Sequence, residues 1–271
     1  MSEILFASDL DNTLLFSCKH KRDTDQCVEW LEGKEQGFFT LRTLELLPLV
    51  CERVRFVPVT TRSVVQYQRI LWPGSCAPRY AVTSNGGVLL NNGRIDQDWY
   101  EETKRLVLPW QSELLRLEGK LREIPIPKRC RVVDEVYLFA AFDNGEEAEY
   151  AAGLLREGTA LETAVSGRKV YFFPPSINKG DALRCLRERF QLDKTICAGD
   201  SVIDLPMLRA ADLAIVPSRE LLLDRAAENV RIPGKTDRFP DFILKTVLEE
   251  FGTFAPKTET QKKNSALPGQ T

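Results

Sequence analysis

An unbroken apolar run near the start of the chain, ending in two aspartates, constrains the fold most strongly. Residues 4–7 read Ile-Leu-Phe-Ala, and Asp9-Leu10-Asp11-Asn12-Thr13 follows after one serine. A short run without polar positions is typical of a strand buried on both faces, as in a parallel sheet. Residues two apart in an extended chain point to the same side, so the Asp9 and Asp11 carboxylates project together. Two close carboxylates stay ionised only with a cation between them, or else one of them keeps a proton. An oxygen-rich pair at the end of a buried strand therefore predicts a hard divalent ion such as Mg²⁺. The same residues also suit an ordinary turn.

Composition narrows the classes of function. The chain has 271 residues, 43% hydrophobic and 28% charged, which suits a globular protein of one large or two modest domains. Its net charge of −2 gives no electrostatic case for nucleic acid or membrane partners, and no apolar run approaches the length of a membrane span. The seven cysteines lack Cys-x-x-Cys spacing and the N-terminus lacks a signal-peptide pattern, which predicts a cytoplasmic location. The sole histidine, His20, lies in a basic stretch, so acid–base chemistry is expected to use carboxylates.

The order of the predicted elements indicates an α/β fold. Short apolar strands that end in small polar residues alternate with segments of helical spacing, which is typical of a doubly wound parallel sheet. This rhythm covers residues 1–87 and 176–251, which we predict to form one core. A polar stretch at residues 17–37 is expected to leave that core as a flap or hairpin. Residues 252–271 are rich in Lys, Thr, Pro and Gln without apolar periodicity, which predicts a disordered tail.

The rhythm changes between residues 88 and 175. Two predicted helices, near residues 101–121 and 146–157, accompany two long, partly alternating strands at residues 131–142 and 161–173. Long strands joined by a helix suit an antiparallel sheet, so we predict an α+β cap domain over residues 88–175, inserted into the core. In doubly wound folds ligands bind beyond the carboxyl ends of the strands, where the polar strand ends of the core should meet.

Four polar groups stand at predicted strand ends or helix starts of the core. They are, in chain order, Asp9/Asp11/Thr13, Thr60, Lys179 and Asp200/Asp204. This order resembles the haloacid dehalogenase superfamily of phosphohydrolases, which carries Asp-x-Asp-x-Thr, then a Ser or Thr, then a Lys, then an acidic pair. The insert falls between the second and third motifs, as in Cof-like and sucrose-phosphate phosphatase-like members. The resemblance covers the chain to about residue 251 and implies a doubly wound core with an α/β cap.

The resemblance implies a catalytic role for several of these residues. Asp9 would attack phosphorus to form an aspartyl-phosphate, and Asp11 would protonate the leaving alkoxide and then activate water. Thr60 would hydrogen-bond the transferring phosphoryl group. Lys179 would neutralise its charge and restrain Asp9.

The resemblance also implies Mg²⁺ as cofactor and a small phosphorylated metabolite, favoured as a sugar phosphate, as substrate. The metal would contact the Asp9 and Asp200 carboxylates and the Asp11 main-chain carbonyl, while Asp204 would hold metal-bound water or orient its neighbours. Candidate substrate contacts and loop-fixing residues match further positions of the family's motifs, namely Thr13, Thr61, Arg62, Asn85, Gly86 and Asn178.

Each motif also has an ordinary structural explanation. Thr60 suits a strand, Lys179 an exposed helix start, Asp204 a helix N-cap, and Asn85-Gly86 a turn. A phosphomutase would share the nucleophile, and a non-catalytic binding protein could keep the fold, so both are alternatives to the phosphatase. Two departures from the family pattern, Thr61 in place of Gly and Ile203 in place of Asn, leave the substrate open, and the sequence does not indicate an oligomeric state.

Overall fold

The structure is a computed structural model, and it describes residues 3–74, 76–124, 129–224 and 226–254. Its strands are β1 (Ile4–Ser8), β2 (Phe16–Ser17), β3 (Gln26–Leu31), β4 (Lys34–Phe39), β5 (Arg55–Pro58), β6 (Tyr80–Thr83), β7 (Val88–Asn91), β8 (Arg94–Ile95), β9 (Arg129–Val133), β10 (Tyr137–Ala141), β11 (Glu162–Ser166), β12 (Lys169–Phe173), β13 (Lys194–Ala198), β14 (Leu213–Ile215) and β15 (Val230–Arg231). Its α-helices are α1 (Leu41–Arg53), α2 (Val64–Tyr67), α3 (Gln97–Val107), α4 (Gln111–Glu123), α5 (Gly145–Arg156), α6 (Lys179–Phe190), α7 (Leu205–Ala210) and α8 (Phe239–Phe254).

A parallel sheet in the order β15-β14-β13-β1-β5 forms the centre of the fold. Strand β1, which lies between β13 and β5, is fully buried, and its side chains alternate between two apolar layers. Leu5 and Ala7 pack with residues of α6 and α7, whereas Ile4 and Phe6 pack with residues of α1 and α8. Helices therefore cover both faces of the sheet, which confirms the predicted doubly wound α/β class.

A β-hairpin extends the core beyond its central sheet. β6 joins the edge of that sheet through a parallel bridge between Val59 and Val82, and it pairs antiparallel with β7, which pairs in turn with β8. Strand pairing of the core thus continues through residue 95, past the end of the first core segment expected from the sequence. The division of the chain into core and cap remains a prediction.

The polar stretch at residues 17–37 forms a hairpin, as expected. β3 and β4 pair antiparallel, and β2 adds a short third strand to them. The register shifts at Glu29, where a β-bulge interrupts the pairing. A partly buried ion pair between Arg238 and Asp25, at 2.5 and 2.8 Å, links this hairpin to the segment before α8.

The insert sheet, β9–β12, is antiparallel in the order β11-β12-β10-β9, with residues of α4 and α5 in its apolar layer. The prediction of one long strand at residues 131–142 and another at 161–173 was wrong, because each region is a two-stranded hairpin. The first turns at Asp134 and Glu135, both with positive φ, and the second at Gly167. Apolar alternation continues on both sides of these tight turns, so the sequence pattern does not reveal the reversal.

The insert sheet contacts the core directly. The Tyr137 hydroxyl donates a 2.5 Å hydrogen bond to the Thr61 carbonyl. The Asp134 carboxylate accepts hydrogen bonds from the Val64 main-chain N–H, at 2.9 Å, and from the Ser84 hydroxyl. Ile203 of the core packs into the apolar cluster of the insert. A polar asparagine at this position would lose that apolar contact.

The last helix, α8, runs three residues into the segment predicted to be a disordered tail, and the rest of that prediction concerns residues 255–271, which lie outside the described residues. Within the part of the chain that the structure describes, no helix combines the length and apolar character needed to cross a membrane.

Candidate active site

Asp9 and Lys179 are brought together at the carboxyl end of the central sheet. Asp9 follows β1 directly, and its main-chain N–H donates to the Ala198 carbonyl at 2.9 Å, which continues the pairing with β13. Lys179 is the first residue of α6, and Asn178 caps that helix by accepting from two main-chain N–H groups. The partial positive charge of a helix N-terminus disfavours a lysine there. Carboxylate partners offset this cost.

Lys179 bridges two buried carboxylates. Its Nζ lies 2.5 Å from Asp9 Oδ1 and 2.5 Å from Asp204 Oδ1, and the lysine side chain is only 1% exposed. Burial alone would lower the pKa of Lys179, but the Asp204 and Asp9 carboxylates outweigh it and raise that pKa. The lysine therefore stays charged. A fixed positive charge beside the Asp9 carboxylate is suited to stabilising an anionic group that transfers there.

The loop after β13 presents Asp200 and Asp204 to the same point. Asp204 Oδ2 accepts from the Asp200 main-chain N–H at 3.1 Å, and from the Ser201 main-chain N–H and hydroxyl at 2.9 Å each. A side chain at Gly199 would come within 2.5 Å of Asp204 Cβ, so only glycine allows this close turn. The Thr13 hydroxyl donates to Asp200 Oδ1 at 3.0 Å and links the loop to the end of β1.

Asp9, Asp200 and Asp204 form an all-oxygen cluster that fits a hard cation. Each offers one carboxylate oxygen, and these atoms lie within 4.8 Å of one another. Burial, partly offset by Lys179 and reinforced by the neighbouring carboxylates, raises the pKa of Asp9 to about 8. Burial and Asp204 likewise raise the pKa of Asp200 to about 6. A site that disfavours its own negative charge to this extent is suited to Mg²⁺, which prefers carboxylate ligands and would relieve the repulsion.

The side chain of Asp11 is held by Arg62. Arg62 Nε lies 3.0 Å from Asp11 Oδ2, and Arg62 Nη2 lies 2.8 Å from Asp11 Oδ1, in a bidentate pair. Burial would raise the pKa of Asp11, but the Arg62 guanidinium overrides it and lowers the pKa to about 2. In this arrangement Asp11 is an ionised acceptor. It must leave Arg62 before it can carry a proton at neutral pH.

The two predicted threonines line the same strand end. Thr60 is fully buried, its main-chain N–H donates to the Val82 carbonyl at 2.9 Å, and its hydroxyl accepts from the Arg62 main-chain N–H at 3.2 Å. Thr61 offers its carbonyl to Tyr137 of the insert sheet. The second-motif loop is thus held both by the core and by the insert.

Asn85 and Gly86 form a strained turn against the start of α6. Asn85 has a φ of 60°, and its Nδ2 donates to the Ile177 carbonyl at 3.3 Å. Its Oδ1 is buried and accepts no hydrogen bond within the described residues. Gly86 has a φ of 112°, and a side chain there would come within 2.7 Å of the Asn178 carbonyl oxygen. The Asn178 side chain caps α6 and donates a 2.5 Å hydrogen bond to the Asp181 carboxylate.

Two contributors were missed by sequence reasoning. Glu29, on the hairpin, lies 2.9 Å from Arg62 Nη1, and Tyr137, on the insert sheet, reaches the Thr61 carbonyl. The available signal for Glu29 was its place between the apolar residues Val28 and Trp30. The residues next to Tyr137 in the sequence do not distinguish it from an aromatic side chain that only packs in a core.

Comparison with known proteins identifies the fold. No sequence-family model matches the chain, and no curated protein matches it by sequence. Solved structures do match. A sucrose-phosphatase from Synechocystis sp. PCC6803, solved with sucrose and phosphate, is 19% identical, with a TM-score of 0.63 over 93% of this chain and 99% of that chain. A haloacid dehalogenase-like hydrolase from B. subtilis is 17% identical, with a TM-score of 0.57 over 88% of this chain and 98% of that chain.

A third similar structure comes from Bacteroides thetaiotaomicron and is described among phosphatases of the haloalkanoate enzyme superfamily. It is 17% identical, with a TM-score of 0.53 over 93% of this chain and 96% of that chain. The chain therefore has the haloacid dehalogenase-type fold, which confirms the fold that the sequence resemblance implied.

Proposed function

We propose that the protein is a Mg²⁺-dependent phosphatase that hydrolyses a small phosphorylated metabolite, with sugar phosphates as the favoured class. The observation that carries this proposal is the buried arrangement of Lys179 between Asp9 and Asp204 at the carboxyl end of the parallel sheet. Burying two carboxylates and an ammonium group is costly, and a stable core alone does not require it. Phosphoryl transfer does require a nucleophile next to fixed positive charge.

The reaction would proceed in two displacements on phosphorus. An Asp9 oxygen attacks the phosphorus, the bond to the ester oxygen breaks, and its electron pair leaves with that oxygen, which takes a proton from Asp11. In the second step water attacks the phosphorus of the aspartyl-phosphate and gives its proton to Asp11. The bond between phosphorus and Asp9 then breaks, which frees inorganic phosphate and restores the ionised Asp9 carboxylate and the protonated Asp11.

The residues around Asp9 suit these steps. Lys179 balances the charge on the phosphoryl oxygens, and Thr60 lies at the strand end where it can donate to them. Mg²⁺, held by Asp9, Asp200 and Asp204, would neutralise further negative charge when bound. Asp11 must exchange its Arg62 partner for the substrate before it acts as the acid of the first step, whereas its ionised, Arg62-held form is the one that can take a proton from water in the second step.

The insert is proposed to cover the site and to select the substrate, since Tyr137 and Asp134 of the insert reach the second-motif loop. A likeness to a structure that holds sucrose and phosphate favours a sugar phosphate. The cysteine pattern favours a cytoplasmic location.

The test is phosphate release from a panel of sugar phosphates, with and without Mg²⁺, using the wild type, Asp9→Asn and Asp237→Asn. The control residue Asp237 accepts a main-chain hydrogen bond in an exposed loop, a contact that asparagine preserves, so the control carries the same substitution outside the site. We expect Mg²⁺-dependent release by the wild type and the control and none by Asp9→Asn. Activity that survives Asp9→Asn contradicts the nucleophile assignment, and phosphoryl transfer between sugar positions without release indicates a mutase.

A further inference from the structure

A chain of alternating charges connects the hairpin to Asp11. Arg69 Nε and Nη2 lie 3.1 and 2.9 Å from Glu29 Oε1, and Arg62 Nη1 lies 2.9 Å from Glu29 Oε2. Arg62 then holds both oxygens of Asp11, at 3.0 and 2.8 Å. The Glu29 side chain is only 2% exposed, so this ion pair lies in the interior, where charged contacts are strong and directional.

The hairpin is shaped to aim Glu29 inward. The register of β3 against β4 shifts on both sides of Glu29, and a bulge of this kind redirects a side chain. Opposite it lies Gly37, where an added Cβ would come within 3.0 Å of Glu29 Oε2 and 3.2 Å of Glu29 Cβ. A backbone distortion and a missing side chain therefore combine to make room for one buried carboxylate.

Glu29 fixes the orientation of Arg62. All three guanidinium nitrogens of Arg62 are engaged, two by Asp11 and the third by Glu29, with a longer 3.4 Å contact to the Gln66 carbonyl. Without Glu29 the guanidinium would keep only that weak contact on its far side. It could then rotate together with the Asp11 carboxylate that it holds.

We propose that Glu29 is a positioning residue for the reaction: it sets the place of Arg62, and through Arg62 the place of the ionised Asp11 carboxylate, the form that takes a proton from water in the second step. This inference rests on the proposed phosphatase function. Glu29 contacts no reacting group itself, and it lies on a hairpin outside the parallel core. Through Glu29, the hairpin would therefore help to position a residue of the proposed reaction.

The experiment compares Glu29→Gln with Glu35→Gln. Glu35 lies on the same hairpin and pairs with Lys21 at the surface, so it is a matched control. A displacement of about 1 Å in an acid–base group lowers rates by about 100-fold, so we expect Glu29→Gln to lower kcat by about 10- to 100-fold. KM should change by less than about twofold, because binding of the phosphoryl group does not depend on Asp11. Glu35→Gln should match the wild type.

Two milder variants keep the inference testable if Glu29→Gln folds poorly. Arg69→Gln loosens Glu29 from its outer, partly exposed side, and Gly37→Ala keeps all four charges while it crowds the Glu29 carboxylate. Both should lower kcat in the same direction by a smaller factor. An unchanged kcat, a raised kcat, or a raised KM at unchanged kcat in these variants would overturn the inference.

The contact from Glu29 to Arg62 can also be tested without any substrate. The measurement is the rate at which the Arg62 Nε–H proton exchanges with water, monitored by ¹⁵N NMR. We expect it to be slow in the wild type and in Glu35→Gln, and at least about tenfold faster in Glu29→Gln, because a held guanidinium proton is shielded from water. Equal exchange in all three proteins overturns the inference whether or not the protein is active. If the wild type is inactive but shows the expected slow exchange, the proposed function is overturned, and with it the role of Glu29 in a reaction. The link from Glu29 to Arg62 would still stand.

Discussion

Replacing Lys179 with methionine tests the most buried part of the site. Methionine has a similar length and no charge, so the substitution removes the bridge between Asp9 and Asp204 with little change in volume. Removing one partner of a buried ion pair costs about 3–5 kcal/mol, because the remaining charge is left without compensation. For two structural reasons, we expect the loss of stability in Lys179→Met to lie near the lower end of this range.

The first reason is that Asp9 can take up a proton, since its pKa is already raised to about 8 by burial. The second is that Asp204 Oδ2 keeps three hydrogen bonds from the Asp200–Ser201 loop, so only its Oδ1 loses a partner. We therefore expect Lys179→Met to lower the free energy of unfolding by roughly 3 kcal/mol at pH 7 without Mg²⁺.

The assay is urea unfolding at pH 7, with and without Mg²⁺, for the wild type, Lys179→Met and Lys245→Met. Lys245 is 69% exposed on α8, and its pair with Glu249 is at the surface, so its loss should change stability by less than about 0.5 kcal/mol. Mg²⁺ should stabilise Lys179→Met more than the wild type, because the ion replaces the missing positive charge. A loss below about 1 kcal/mol for Lys179→Met would show that this lysine does not neutralise a buried anionic cluster.

Three further predictions concern the metal, the loop packing and the hairpin. Asp200→Asn should abolish the rise in melting temperature that Mg²⁺ gives the wild type, as measured by scanning fluorimetry, because an amide is a weaker and uncharged ligand. Gly180→Ala should destabilise the fold by about 2 kcal/mol or more in urea unfolding, because the new Cβ would come within 2.6 Å of the Pro206 carbonyl oxygen. Burial would raise the pKa of Asp25, but hydrogen bonds from Arg238 and from the Arg22 main-chain N–H, together with the charges of both arginines, lower it, so the stability that this pair adds is present above the ordinary aspartate pKa and lost as pH falls below it. The stability difference between the wild type and Arg238→Gln should thus be constant from pH 7 to about 5 and shrink below about pH 4.

The sequence predicts those parts of the site that depend on local pattern. The apolar run of β1 ends in Asp9, and Lys179 opens a helix after a capping asparagine, because strand ends and helix starts are marked by nearby residues. Parallel pairing then brings their side chains to one edge of the sheet, as expected from the topology alone.

The sequence does not reveal what depends on distant contacts. Glu29 looks like an exposed strand residue until the bulge and Gly37 turn it inward towards Arg62. The Asp11 side chain was expected to face the reacting groups, and only the fold shows that Arg62 holds it. The hairpin turn at Asp134 carries no glycine or asparagine that would mark it in the sequence, and its hydrogen bond from Ser84 joins residues 50 positions apart.

The most direct test of the central claim is to trap the covalent intermediate on Asp9. The wild type would be mixed with a substrate identified in the phosphate-release panel, quenched in acid within milliseconds, digested and examined by mass spectrometry. We expect the peptide containing Asp9 to gain the mass of one phosphoryl group in the presence of Mg²⁺, and the same peptide of Asp9→Asn to gain none. A phosphoryl group on any other residue, or turnover with no modified peptide at any quench time, would show that Asp9 is not the nucleophile.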